Sequence, residues 1–447
     1  MKKYFYFLFL ALLSLCYSCS DSDSDGYKTY TLSFQLEYPS SAALQAAEDV
    51  VVTLTDMSDR KYTAKTDANG KAVFIVTSGV YSAAVSDVRS AGGSRYTYNG
   101  SLKNIAVTSA WDNASVLDIE LEESVANQVI IKELYVGGCL DNENKVFHMD
   151  KYVILYNNSD QQASLDNLCL GMMQPWNSNL VNKDEIDGKF RYELGGWIPA
   201  ANGIWYYPRT LVLEPGEQIV IALNNAVDNT ATYPRSVDLG KAGYHCTYDI
   251  EDYSTTKYYS VPSSAISKDN YWSAVRYGNG NAWSISTSSP AFYIFRTDGI
   301  SAEEFASNGE NIDYYGGTQT LTYIQKKVPQ EWVVDAIEVF TTKYETNYKR
   351  LTNKLDMGHV KLTNGYGYSS YRNVDVEATK AIEGNEAKLV YGYNKGTEVS
   401  DVNNFESTDP SGIDAEASIR NGARIIYKDT NNSTNDFHQR KQASLKD

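Results

Sequence analysis

An all-β fold, built as two consecutive immunoglobulin-like β-sandwiches, is what this sequence predicts. Short apolar runs alternate with polar residues, as in Leu32, Phe34 and Leu36 of TLSFQLEY, and such a period of two sends one strand face indoors. Aromatics are plentiful and mostly tyrosine, 36 against 13 Phe and 7 Trp, in a chain with only 10 Pro, a composition suited to pleated, half-buried surfaces. Long patterns of period 3.6 are nearly absent. A chain of 447 residues has material for more than one core. Its 40 basic and 56 acidic side chains give a net charge of −16, which repels nucleic acid and anionic lipid headgroups, so neither is an expected partner.

Met1-Lys2-Lys3 supplies a positive end, and Tyr4 to Leu15 an apolar stretch too short for a stable span. Cys16-Tyr17-Ser18-Cys19-Ser20 follows and resembles a bacterial lipoprotein signal cut after the small residue Ser18. Residues 1–18 are therefore expected as signal peptide and Cys19 as the lipidated residue, although Cys16 stands where a leucine-like residue is usual. Residues 19–26 follow, with Ser and Asp alternating from Ser20 to Asp25. Asp21-x-Asp23-x-Asp25-Gly26 opens like an EF-hand loop, yet the twelfth position, which needs a bidentate Glu, is Leu32. The run is read instead as a solvated, self-repelling tether, and it resembles the surface-export tether of Bacteroidota lipoproteins.

Residues 27–123 form the first expected sandwich. Val50 to Leu54 is a strand, and Asn69-Gly70 is a strong hairpin signal before Lys71 to Phe74. The run TDANGKAVF…GVYSAAV resembles the carboxypeptidase-regulatory-like, or collagen-adhesin B-type, immunoglobulin sandwich, a likeness that implies a fold and no activity. A short joint leads into the second expected unit, residues 127–447.

That unit opens with NQVIIKELYVGG. A strand from Tyr152 to Tyr156 follows, closed by the turn cluster Asn157-Asn158-Ser159-Asp160. Leu211 to Leu223 reads as strand, Pro215-Gly216 turn and strand; Pro290 to Phe295 and Trp332 to Phe340 read as further core strands. These stretches, with Asp429 to Phe437, resemble an uncharacterised Bacteroidota family of lamin-tail-like lipoproteins of unknown function. The polar stretch 378–419 departs from that pattern and reads as an inserted loop or hairpin.

No catalytic signature is present, and the chain reads as a non-enzyme. The four histidines lack an HExxH context, and no G-x-S-x-G elbow, P-loop or full G-x-G-x-x-G occurs. Gly278-Asn279-Gly280 and Gly365-Tyr366-Gly367 lack the third glycine and read as turns. His245 beside Cys246, with Asp249 close behind, is the nearest approach to a metal or nucleophile cluster, read first as ordinary loop or core residues. Glu185, Asp187 and Glu193 are the acids that a hydrolase reading would pair. Asp429, Asn431 and Ser433 offer alternating oxygens of the kind calcium takes, against which stands turn capping by the same side chains. Cys139, Cys169 and Cys246 leave room for one disulfide but read as buried thiols.

Five of the seven tryptophans, Trp176, Trp197, Trp205, Trp272 and Trp283, fall in two long polar stretches, Met172 to Pro208 and Ala226 to Ser289. On exposed loops their faces would stack on sugar rings or a porphyrin; otherwise they pin the loops to the sandwich. The resulting expectation is a lipid-anchored, surface-exposed outer-membrane protein, a non-catalytic binding or accessory subunit for a glycan or an iron/haem species. Lineage analogy suggests a TonB-dependent receptor as its neighbour. The alternative is a structural or adhesion protein acting through protein–protein contacts.

Overall fold

A computed structural model of the chain describes residues 28–40, 42, 47–58, 60–91, 94–125, 128–391 and 409–446. The expected signal peptide, Cys19 and the whole acidic tether lie outside them. The described chain is all-β with a few short helices, and none of those helices is long and apolar enough to cross a membrane.

The first unit packs a three-stranded sheet on a five-stranded one. Thr29–Glu37 lies between Lys71–Thr77, antiparallel, and Val116–Glu120, parallel. Lys61–Lys65, Val51–Asp56, Gly79–Ala91, Ser94–Val107 and Glu122–Val125 make the other sheet. Leu32, Phe34 and Leu36 face the core between them, as the alternation requires, with Phe74 beside them on the same sheet and Val52, Leu54 and Val85 opposite. Gly70 takes the left-handed turn position at φ 79°.

The second unit departs from two separate sheets. One twelve-stranded sheet runs from Val360–Leu362 through Val333–Thr341, Ala291–Arg296, Leu168–Met172, Gly203–Tyr206, Tyr271–Arg276, His245–Thr247, Gln218–Ala222, Tyr152–Asn157, Val129–Tyr135 and Ser369–Arg372 to Phe437–Arg440. It curls until its ends meet. The Ile131 N–H donates to Asp335 Oδ2 at 2.6 Å and the Thr363 N–H to Gln439 Oε1 at 2.5 Å. The core is enclosed within, formed by Leu134, Val153, Leu155, Leu170, Ile221 and Ile294 with three tryptophans.

Both stretches read as long loops carry strands. Trp197–Ala201 and Gly203–Tyr206 lie in the first, His245–Thr247 and Tyr271–Arg276 in the second. The turn after Tyr156 docks the distant C-terminal segment: the Tyr156 hydroxyl donates to the Ile425 carbonyl (2.6 Å), and Asn158 exchanges two hydrogen bonds with the Tyr427 backbone. The described part of 378–419 is partly helical. Asp375 caps Val376–Ala381, Asp414 caps Ala415–Arg420, and the two sides pair where Tyr391 bridges Ile413. The units touch where Asn99 Nδ2 donates to the Thr430 carbonyl at 2.5 Å.

Candidate functional site

The tryptophans are core residues, which corrects the ligand-platform expectation. Trp205 is 0 % exposed, Trp272 and Trp283 1 % and Trp197 9 %, while Trp176 is partly buried against the same core as the first three. Trp205 lies between Leu170 and Ala274 on neighbouring strands and stacks on Tyr253, centroids 5.4 Å apart. The Trp283 indole donates to the Gly203 carbonyl at 3.3 Å. Trp197 is packed between the cations of Arg191 and Lys327, 5.6 and 5.3 Å from its ring. Rings enclosed this way pin the chain and leave no face for a sugar or porphyrin.

The Asp429 to Asp436 run surrounds a cation, but that cation belongs to the protein. Asp429 Oδ1 accepts from Arg372 Nη1 at 3.2 Å, Asp335 Oδ2 accepts from Nη2, and Asp436 Oδ2 lies 3.9 Å from Nη1. Arg372 is buried, and its Nε also donates to the Ile131 carbonyl at 2.8 Å. Of the three candidate calcium ligands, Asn431 sits in a left-handed turn at φ 49°, its carbonyl accepting from the Met357 N–H. The Ser433 hydroxyl donates to Asp356 at the start of a short helix capped by Asn432. Guanidinium geometry and turn capping therefore account for the alternating oxygens of the kind calcium takes.

Burial is felt by these acids. Dehydration, with Asp429 adding and Arg372 opposing, raises Asp335 to about 7 and Asp436 to about 6. A second buried pair is fully satisfied. Arg350 Nε donates to Glu338 Oε1 at 2.8 Å and Nη1 to the Pro175 and Ser289 carbonyls, while Glu338 Oε2 accepts the N–H groups of Arg350 and Leu351. This pair locks two crossing loops onto Val333–Thr341. Neither arrangement leaves a carboxylate free for acid–base chemistry.

Lys132 forms a third internal charge site that sequence spacing gave no way to see. Its ammonium contacts Glu416 at 2.7 Å and Gln218 at 2.6 Å, with the rings of Tyr156, Tyr371 and Tyr427 each within 6 Å. Burial would raise the Glu416 carboxyl, but the adjacent ammonium brings it below its usual range. The partners are 24, 86, 239, 284 and 295 positions away, so no local motif exists. Beside them Tyr371, Asp409, Asp414, Glu416, His438 and Arg440 line a cavity of about 10 Å³, room for about one water.

His245 and Cys246 do not form a reactive pair. Adjacent strand residues point to opposite faces, so His245 packs on the Tyr207 ring at 5.1 Å while Cys246 enters a different cluster. Burial lowers His245 to about 4 and raises the Cys246 thiol to about 12. Asp249 instead accepts the Ala274 N–H at 3.0 Å. Cys139, Cys169 and Cys246 are all buried free thiols. Glu185 is exposed on a two-stranded hairpin, and Asp187 holds its turn at φ 51°.

With this architecture in view, one comparison decides what the second unit is like. Residues 214–406 match the family described as Protein of unknown function (DUF4876). The DUF4876 match takes in Trp272, Trp283 and the Glu338–Arg350 pair, and stops short of Asp429 to Asp436. A crystal structure of a DUF4876 family protein from Bacteroides thetaiotaomicron VPI-5482 is similar over 93 % of this chain and 96 % of its own, with a TM-score of 0.53 and 21 % identity. That likeness extends the shared fold over both units. A DUF3823 family protein from Parabacteroides merdae ATCC 43184 matches 33 % of this chain and 67 % of its own, at 11 % identity and a TM-score of 0.15. No curated protein matches the chain.

Proposed function

We propose that this chain is a non-catalytic, lipid-anchored surface protein of the outer membrane, serving as a binding or accessory subunit beside an uptake system. The observation that carries the non-catalytic part is the fate of the groups that could do chemistry. Asp335, Asp429 and Asp436 surround Arg372, Glu338 is consumed by Arg350, and His245 and Cys246 face apart. Charges committed to internal partners stabilise a scaffold and are unavailable to a substrate. Support for the anchor comes from Cys19 after a short apolar segment, and for surface display from the acidic run behind it.

The test labels expressing cells with palmitate, alongside a Cys19→Ala control, and then purifies the protein from solubilised outer membranes. Label on the parent alone, with an outer-membrane protein co-purifying in stoichiometric amount, is expected. Palmitate absent from the parent ends the anchor reading. Turnover of any compound in a hydrolase substrate panel, if abolished by Glu185→Gln or Glu193→Gln, ends the non-catalytic one.

A further inference from the structure

Among the described residues of the second unit, the most exposed tyrosine sits on the Gly365-Tyr366-Gly367 turn. Gly365 and Gly367 both hold left-handed backbone, φ 85° and 78°, and between them Tyr366 is turned outward, 62 % exposed. The turn is clamped on both sides. The Gly365 N–H donates to the Gly137 carbonyl (2.6 Å), that of Gly367 to Gly138 (2.8 Å), and that of Ala443 to Gly367 (3.1 Å). Tyr366 stacks on Tyr368, centroids 5.6 Å apart and planes 28° from parallel, and the Lys441 ammonium lies 4.7 Å from the centre of the Tyr368 ring. Next to them Asn364 is half-buried, its side-chain amide without a hydrogen-bond partner among the described residues.

We propose that this turn is a carbohydrate-binding site, in which a neutral sugar ring stacks on Tyr366 and its hydroxyls bond the Asn364 amide. A ring covered on one face by a second ring keeps an electron-rich face for polarised C–H groups, the mode by which aromatic faces receive partly positive ligands. A primary amide offers two donors and an acceptor side by side, which suits neighbouring hydroxyls. The backbone clamps hold the ring in place before any ligand arrives, so little ordering cost opposes binding. The net charge of −16 disfavours an acidic saccharide. This assignment rests on the binding reading above and supplies its ligand class.

Full-length protein in detergent is titrated calorimetrically with maltohexaose, laminarihexaose, xylohexaose and mannohexaose. Binding of at least one probe is expected, weakened about tenfold or more by Tyr366→Ala. Tyr366→Phe retains it because the ring supplies the contact, and Tyr391→Ala, at an exposed tyrosine elsewhere, leaves it unchanged. Melting temperatures of all three variants serve as the folding control. No binding to any probe, or binding that Tyr366→Ala leaves intact, overturns the site. Such a result leaves the accessory role to the co-purification experiment. Binding lost in Tyr366→Ala together with sugar turnover keeps the site and removes the non-catalytic reading instead.

Discussion

Replacing Trp205 by alanine separates a core tryptophan from a ligand platform in one measurement. The ring is fully buried, flanked by Leu170 and Ala274 across the sheet, stacked on Tyr253 at 5.4 Å and in tilted contact with Tyr259 at 5.7 Å. Truncating a buried tryptophan costs about 3–5 kcal/mol through lost transfer energy and the cavity left behind. Because the aromatic contacts with both tyrosine rings disappear as well, the expected value lies near the upper end, about 4–5 kcal/mol. For a unit of this size about 2–4 °C accompanies each kcal/mol, so the melting temperature should fall by roughly 8–20 °C.

Differential scanning calorimetry gives the number, and urea unfolding of the same protein checks that the slope is unchanged. Trp205→Phe is the companion variant, in case alanine prevents folding. Its cost should be smaller than lost area suggests, because the Trp205 indole N–H is buried without a partner and phenylalanine removes that penalty. A melting temperature within about 2 °C of the parent in both variants would refute the packing argument and return Trp205 to the surface.

Other outcomes follow from the buried charges and thiols. Asp335 and Asp436, raised to about 7 and about 6, bind protons more tightly folded than unfolded, where carboxyls titrate near 4. Their share of stability therefore grows as pH falls from 8 through 6 and is complete near pH 4, by a few kcal/mol. Asp335→Asn should flatten that slope in urea titrations, and an equal slope in parent and variant contradicts it. Arg372→Met strands Asp335, Asp429 and Asp436 without their cation and should cost about 3–5 kcal/mol at pH 8, less at pH 5. Protein beginning at Ser20 should leave dithionitrobenzoate unreacted when native and release three equivalents in guanidinium, since Cys139, Cys169 and Cys246 are buried. Fast native labelling would contradict their burial.

Local alternation carried the legible part of the fold. Leu32, Phe34 and Leu36, the Asn69-Gly70 turn, and the strand, turn and strand from Leu211 to Leu223 each depend on neighbours a few residues apart, and each stands where the pattern puts it, although Leu211–Leu213 and Gln218–Ala222 pair with other strands rather than with one another. The curled sheet was illegible for the same reason. His245–Thr247 is three residues long and is held between Gln218–Ala222 and Tyr271–Arg276 by parallel pairing. No periodicity can be read from three residues. Arg372 likewise meets Asp335 and Asp429 from 37 and 57 positions away, so the acids showed in the sequence while their cation did not.

The tryptophans failed as site residues for a reason the sequence does contain. Trp205 stands in GIWYY and Trp272 in YWSAV, where the residue two ahead, Tyr207 or Ala274, is also apolar and also indoors. An aromatic in phase with a strand's apolar face goes inside with that face, since shifting it outward would turn the whole register over. Tyr366 has no such phase: glycine flanks it on both sides, and a left-handed residue before and after breaks the pleat and frees the ring. Phase against the strand period, rather than aromatic content of a polar stretch, is therefore what sorts packing rings from presented ones in this chain. By that criterion Tyr366 is a presented ring, and Trp205 and Trp272 are packing rings.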